Sequence, residues 1–341
     1  MRRFRILPLL LTVLVLPGAA SAYPWPFKPF DEQHPIRGFF GDPRTVYQSG
    51  LASDALVGPG FFSFHQGVDI AAPDGTPIYA VASGTAHYLG AATLDVAAAH
   101  HVTFQYFHIV PVVGEGQHVV VSGTILGYVQ APYGHVHITE IDGSRVVNPL
   151  QKGHLTPYRD TTRPTIRAVT IEDRLGAMQG PLCGRVEIDA DAFDTPPVPV
   201  PGPFRGLPVA PAFVAWSLRR PGHRAPIVRR TVANFLRTLP PNSKFWTVYA
   251  KGTYENSPRF GRTQYRSMPG RYLFQLAGSF NTRTLANGAY VITVRARDVR
   301  GNAAVATRRI EVLNRARGVC PGSLTGAPPP PELPASYTPS P

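Results

Sequence analysis

Cysteine is almost absent from this chain: two residues in 341, Cys183 and Cys320, with neither in a metal-site spacing. A thiolate-held metal centre is thereby excluded. What remains is one disulfide, which an oxidising compartment favours, or two unrelated thiols. Acid is also scarce, at 21 Asp and Glu against 34 Lys and Arg, for a formal net charge of +13. No His-Glu-x-x-His sequence occurs, which removes the glutamate base that such a helix supplies to a metallopeptidase. Beyond the N-terminus no apolar run approaches the ~20 residues of a spanning helix. Amphipathic 3.6-residue periodicity is missing there too, apart from a short helical turn expected around Asn148 to Lys152, so helix-bundle architectures are excluded.

The N-terminus is where apolar residues do concentrate. Arg2, Arg3 and Arg5 precede the run Ile6 to Leu16, followed by Ala20-Ser21-Ala22. This is the pattern of a secretory signal peptide spanning residues 1–22; the run is interrupted by Pro8 and too short to span a bilayer. No cysteine follows it to carry a lipid. The expected product is exported, extracytoplasmic and without stable membrane insertion. Cleavage would remove three arginines and no acid, leaving a strongly basic protein. An exported basic surface meets anionic lipid or an anionic cell wall rather than nucleic acid.

Ten of the eleven histidines lie between His34 and His154, whereas arginine and proline dominate beyond. Together with a length above the usual single-core size, this predicts two domains, 23–157 and 165–316, joined by a linker at 158–164 that contains polar residues and Pro164. The first half alternates short β-branched or aromatic segments (Ile78 to Val81, Gly84 to Leu89, Val102 to His108, His118 to Val121, Ile125 to Val129, Val136 to Ile141) with turn signals such as Ala72-Pro-Asp-Gly75 and Asp142-Gly143. That reads as an antiparallel β domain. In the second half Tyr290, Ile292, Val294 and Ala296 alternate with more polar positions before the turn Asp298-Val-Arg-Gly-Asn302. With Thr165 to Glu172, Arg185 to Ala190, Phe213 to Arg219 and Tyr272 to Leu276, this predicts a β-sandwich of about seven strands. The last strands and turn resemble those of immunoglobulin-like (Ig-like) domains. Seven prolines between Pro196 and Pro211 call for an extended loop, and eight more after Cys320 for a disordered tail over 317–341.

The chemistry concentrates in two short motifs. His65-Gln-Gly-Val-Asp69 sets an imidazole four residues before a carboxylate, and Gly134-His135-Val136-His137 sets two imidazoles at the i, i+2 spacing that shares one face of a strand. Two nitrogens and a carboxylate oxygen suffice for catalytic zinc, whose fourth position stays open. The ordered elements His-x-x-x-Asp, Tyr106-Phe107-His108 and His-x-His, in the context of Phe40-Gly41-Asp42-Pro43-Arg44 and Gly67 to Ala80, resemble the lysostaphin-type (M23) zinc metallopeptidase family over roughly Gly38 to Pro149. The resemblance implies an all-β, antiparallel-sheet peptidase domain, zinc held by His65, Asp69 and His137, and catalytic roles for His108 and His135. Three departures bear on the site: Thr139 stands where the family commonly has an acid, Ala131-Pro132-Tyr133-Gly134 replaces a Gly/Ser-rich approach, and the loop between His108 and the His-x-His motif is compact. Tyr133 is expected to narrow the groove, and the stretch from Tyr23 to Asp42 is a candidate to lie over it. His87, His100, His101, His118 and His154 have no matching role.

The implied activity is that of an exported zinc metalloendopeptidase acting on peptidoglycan or other cell-wall peptide, as a monomer. The alternative is a catalytically weak peptidase-like module that binds the wall or regulates wall hydrolases. Such modules typically lack ligands, and every position of the site is filled here.

Overall fold

The computed structural model describes residues 22–48, 60–90, 92–173, 176–178, 180–314 and 320. Residues 1–21 of the expected signal peptide, and the proline-rich tail except Cys320, lie outside the described residues.

The fold is nearly all β, 49% strand against 6% helix, with antiparallel sheets. In the first half one sheet runs in the order Ile36–Gly38, Val68–Ala71, His135–Asp142, Val102–Phe107, Thr93–Ala98, Gly84–Gly90 and His118–Val119, with Arg145–Val147 paired to His135–Asp142. A second sheet pairs Ile125–Val129 with Pro77–Tyr79 on one edge and Ile109–Pro111 on the other. Between them Ile70, Ile78, Leu94, Val96, Tyr106, Leu126, Val136 and Ile138 are buried in a common core. Strand alternation drives this packing, since successive side chains face opposite sides of a sheet. The segment at Asn148 to Lys152 is a turn rather than a helix; its middle residue, Leu150, is buried in the core.

Tyr23, Trp25 and Phe27 are part of that same core, and Trp25 Nε1 donates to Pro157 O at 2.9 Å. The expectation that Tyr23 to Asp42 covers the groove is therefore corrected for its first residues. Their aromatic side chains remove too much apolar surface from water to serve as a lid, at roughly 1.5–3 kcal/mol per buried large side chain.

The second half holds two four-stranded sheets. One runs Gly176–Ala177, Thr165–Asp173, Arg185–Phe193, Leu273–Asn281; the other runs Val228–Asn234, Phe213–Arg219, Gly288–Arg297, Ala303–Val312. The alternation read from the sequence is realised, with Tyr290, Ile292, Val294 and Ala296 buried opposite Val214, Trp216 and Leu218. Cys183 and Cys320 form a disulfide.

The two halves share more than a linker. Pro43–Tyr47 pairs antiparallel with Gly60–Phe64 and parallel with Arg259–Phe260 of the second half. Phe64, next to His65 in sequence, and Phe40 are buried in the sandwich core beside Phe235, Phe245 and Tyr249. Tyr249 Oη donates to Gly41 O at 2.7 Å, and Phe64 N donates to Asn242 Oδ1 at 3.1 Å. The segment that leads into His65 is thus held from both sides.

Candidate metal centre and catalytic site

Strand register assembles the site. Within the first sheet His137 lies directly opposite Asp69 on one neighbour and Phe107 on the other, so the carboxylate and the imidazole project from paired positions of one face. His135, two residues earlier on the same strand, shares that face. His65 enters from the turn preceding Val68–Ala71. That turn needs Gly67: a Cβ there would stand 2.1 Å from Ile138 O and 2.8 Å from His137 Nε2.

The donor atoms converge. His65 Nε2 is 2.8 Å from His137 Nδ1 and 3.1 Å from Asp69 Oδ1, and His137 Nδ1 is 2.9 Å from the same oxygen. The other nitrogen of each ring has its own partner: His65 Nδ1 donates to Phe39 O at 2.8 Å, and His137 Nε2 lies 2.8 Å from Thr139 Oγ1. With those protons placed outward, two bare nitrogens and a carboxylate oxygen face a single point. This donor set suits zinc; Phe39 O, an acceptor only, fixes the His65 tautomer that ligation requires, and Thr139 Oγ1 accepts from His137 Nε2 in the matching one.

Arg44 balances the charge from behind. Its Nη2 donates to Asp69 Oδ2 at 2.5 Å, and its Nη1 is 3.7 Å from Glu255 Oε2. A Cβ on Gly38 would sit 2.5 Å from Asp69 Oδ2 and 2.8 Å from Arg44 Nη2, so this pair depends on glycine there. Burial opposes ionisation of Asp69, but His65, Arg44 and His135 outweigh it and hold the carboxyl well below its usual range. Burial, aided by Arg44, lowers His65 to about 3; its imidazole is neutral at ordinary pH, as a ligand must be.

His108 and His135 stand beside this point. Their ring centroids are 4.6 Å apart, and His108 stacks on Tyr133 at 4.1 Å with an interplanar angle of 21°. His135 Nδ1 donates to Tyr133 O at 2.9 Å, leaving Nε2 toward the site, 3.5 Å from Asp69 Oδ1 and from Arg37 Nη2. Burial lowers His108 to about 4, with His135 adding to the effect. Tyr133 lines the cleft as expected.

The five residues singled out in the sequence therefore occupy one cleft of about 540 Å³. Sequence reasoning missed others that line it: Arg37, Ser63, and from the second half Phe204, Asn242, Glu255, Asn256 and Tyr272. Arg37 Cζ lies 4.3 Å from the Phe204 ring centroid, and Phe204 belongs to the proline-rich loop predicted as merely extended. Arg44 stood within a quoted motif, but its role needed the fold. His154, set aside at the sequence level, is 2.8 Å from buried Glu140 and lines no part of this cleft.

Residues 63–149 match the family model described as Peptidase family M23, and this stretch is an M23 peptidase domain. No curated protein matches the chain. Solved structures similar to parts of it include the M23 metalloprotease pseudoalterin from the deep sea, with TM-score 0.27 and 14% identity over 46% of this chain and 84% of that one. A zinc-containing peptidase from Vibrio cholerae gives 0.29 and 21% over 38% of this chain and 39% of that one. LytU gives 0.26 and 25% over 36% of this chain and 86% of that one.

Proposed function

We propose that the M23 domain makes this chain an exported zinc metalloendopeptidase that hydrolyses peptide bonds of peptidoglycan cross-links. The observation that carries the reading is the convergence of His65 Nε2, Asp69 Oδ1 and His137 Nδ1 within 3.1 Å of one another. Zinc held by these three atoms supplies a Lewis acid and a water acidified toward neutral pH.

The chain's own groups supply the rest. His135 Nε2 faces the site as a lone pair, because the Nδ1 proton is committed to Tyr133 O; it is placed to take a proton from a nucleophilic water and pass it to the leaving amine. His108, neutral through burial, lines the same side and offers a second acceptor or donor to the reacting carbonyl. Arg37 adds a fixed positive charge beside His135. The net charge, +13 for the whole chain and +10 without Arg2, Arg3 and Arg5, favours retention on an anionic wall polymer. Among the described residues no helix is long and apolar enough to cross a membrane.

The test is zinc content and muralytic activity of the purified protein against two variants. His137→Ala should lose both metal and activity; His135→Ala should keep the metal and lose activity by about 10²–10⁴-fold. A wild-type protein that binds no zinc at micromolar concentration ends the proposal.

A further inference from the structure

At the junction of the two halves three carboxylates are brought together away from solvent. Asp160 comes from the linker, Asp194 follows the strand Arg185–Phe193, and Asp298 opens the turn after Gly288–Arg297. They are 7%, 1% and 2% exposed, and one oxygen of each lies within 4.8 Å of the other two.

Local hydrogen bonds account for part of each group. Asp160 Oδ1 accepts from Thr162 N and Oγ1, and its Oδ2 from Tyr158 Oη at 3.2 Å. Asp298 Oδ1 accepts from Gly301 N and Asn302 N, and Oδ2 from Asn302 Nδ2. Asp194 is different: Oδ1 accepts from Thr195 N, but Oδ2 is fully buried with no hydrogen-bond partner. A buried carboxylate oxygen without a partner is expensive, and two further carboxylates beside it make it more so. Arg300, two residues after Asp298, stacks over Tyr158 with Cζ 4.9 Å from the ring centroid; Asp298 and Asp160 act on its charge, but among the described residues it forms no ion pair within 4.0 Å with any of the three. Burial pushes the Asp194 carboxyl up to about 8, with Asp160 and Asp298 contributing, as expected of a group lacking a counter-charge.

We propose that Asp160, Asp194 and Asp298 form a calcium site that locks the second half against the peptidase domain. The donors are all hard oxygens, which disfavours zinc and copper, and a spacing of up to 4.8 Å fits ligands at ~2.3–2.6 Å around one Ca²⁺. Its place gives it consequence. Asp194 forms a β-bridge with Val209, which is buried in the peptidase core, and Asn302 Nδ2 donates to Asp160 O at 2.9 Å. The ion would join the linker, the base of the proline-rich loop and the Asp298 turn. It would thereby hold the loop that carries Phe204 over the catalytic cleft.

The test uses the full chain with zinc supplied to the histidine site throughout. Equilibrium dialysis with ⁴⁵Ca²⁺ should give about one ion per chain, with Kd on the order of 10⁻⁴ M or tighter, and saturating Ca²⁺ should raise Tm. Asp194→Asn preserves shape and removes charge, so it should fold, abolish that binding and make Tm insensitive to Ca²⁺; Asp298→Asn should weaken binding by at least tenfold. No binding by the wild type at millimolar Ca²⁺ overturns the proposal. So does equal binding by wild type and Asp194→Asn, or an Asp194→Asn protein that is more stable than a wild type indifferent to Ca²⁺. The last result would mark the cluster as one held by a shared proton.

Discussion

His65 Nε2 and His137 Nδ1 lie 2.8 Å apart, although each ring already directs its other nitrogen to a partner, Phe39 O and Thr139 Oγ1. With those two nitrogens bare, their lone pairs and the Asp69 carboxylate oxygen face one point, a donor set that suits a cation. The outer partners therefore bear on the proposed metal centre as much as the proposed ligands do, and they make it testable apart from activity.

Thr139 is the partner that stands where the resemblance leads one to expect an acid. It is 2% exposed, and its hydroxyl oxygen accepts from His137 Nε2 in the tautomer that leaves Nδ1 bare. Thr139→Val keeps the volume and removes the acceptor. Zinc affinity should fall by about 10–100-fold, read by competition with a chromophoric chelator; unchanged affinity would mean that the ring is held by packing against Phe107 alone.

Arg44 predicts a difference between apo and zinc-loaded protein. With it present, Asp69 is neutralised from behind; Arg44→Met leaves the carboxylate largely uncompensated. The metal-free variant should lose about 3 kcal/mol of stability, while zinc, binding the same carboxylate, should restore much of it. Denaturant melts of both proteins with and without zinc measure this, and an equal loss in the two states would contradict it.

His108 carries a pH signature. Its folded pKa, lowered by burial to about 4, lies below the unfolded value of ~6.5, so the folded chain binds fewer protons between those values. The resulting stability is fully present above pH ~6.5 and is lost as pH falls toward 4. Asp42 and Glu255, each pushed by burial to about 7, act with the opposite sign, losing stability as pH rises toward 7, and are common to wild type and variant. His108→Asn tolerates the backbone, which has φ of 63° there. In metal-free protein the stability difference between wild type and His108→Asn should shrink steadily from pH 7 to pH 4. Parallel curves would show that the ring is not buried in solution.

The motifs of the candidate site were legible because each is local, a His-x-x-x-Asp turn and a His-x-His strand whose two-residue period puts both imidazoles on one face; joining them into one proposed ligand set came from the family resemblance. Strand positions such as Ile125–Val129 and Phe213–Arg219 were legible for the same reason. Thr93–Ala98 was not, since its sequence Thr-Leu-Asp-Val-Ala-Ala carries little β-branched signal and its pairing comes from both neighbours. The Arg44–Glu255 contact joins residues 211 positions apart, which no local pattern encodes. Phe204 was hidden differently: prolines exclude regular strand there but do not reveal where the loop lands.

Where it lands yields the last prediction. Phe204 lies under the Arg37 guanidinium at 4.3 Å, and Arg37 in turn is next to His135 Nε2. A cation on an aromatic face contributes about 0.5–2 kcal/mol, and burial is already lowering Arg37's hold on its proton, so the ring keeps a desolvated charge in position at the cleft wall. Among the described ring contacts Phe204 meets none of the three proposed metal ligands. Phe204→Ala should therefore leave zinc content unchanged and act on the substrate, lowering kcat/KM by roughly tenfold through KM, because the wall it forms engages peptide before and during the reaction alike. A variant with lowered kcat at unchanged KM would place Arg37 in the reacting geometry itself. Full activity would reduce the second half to a scaffold for the cleft.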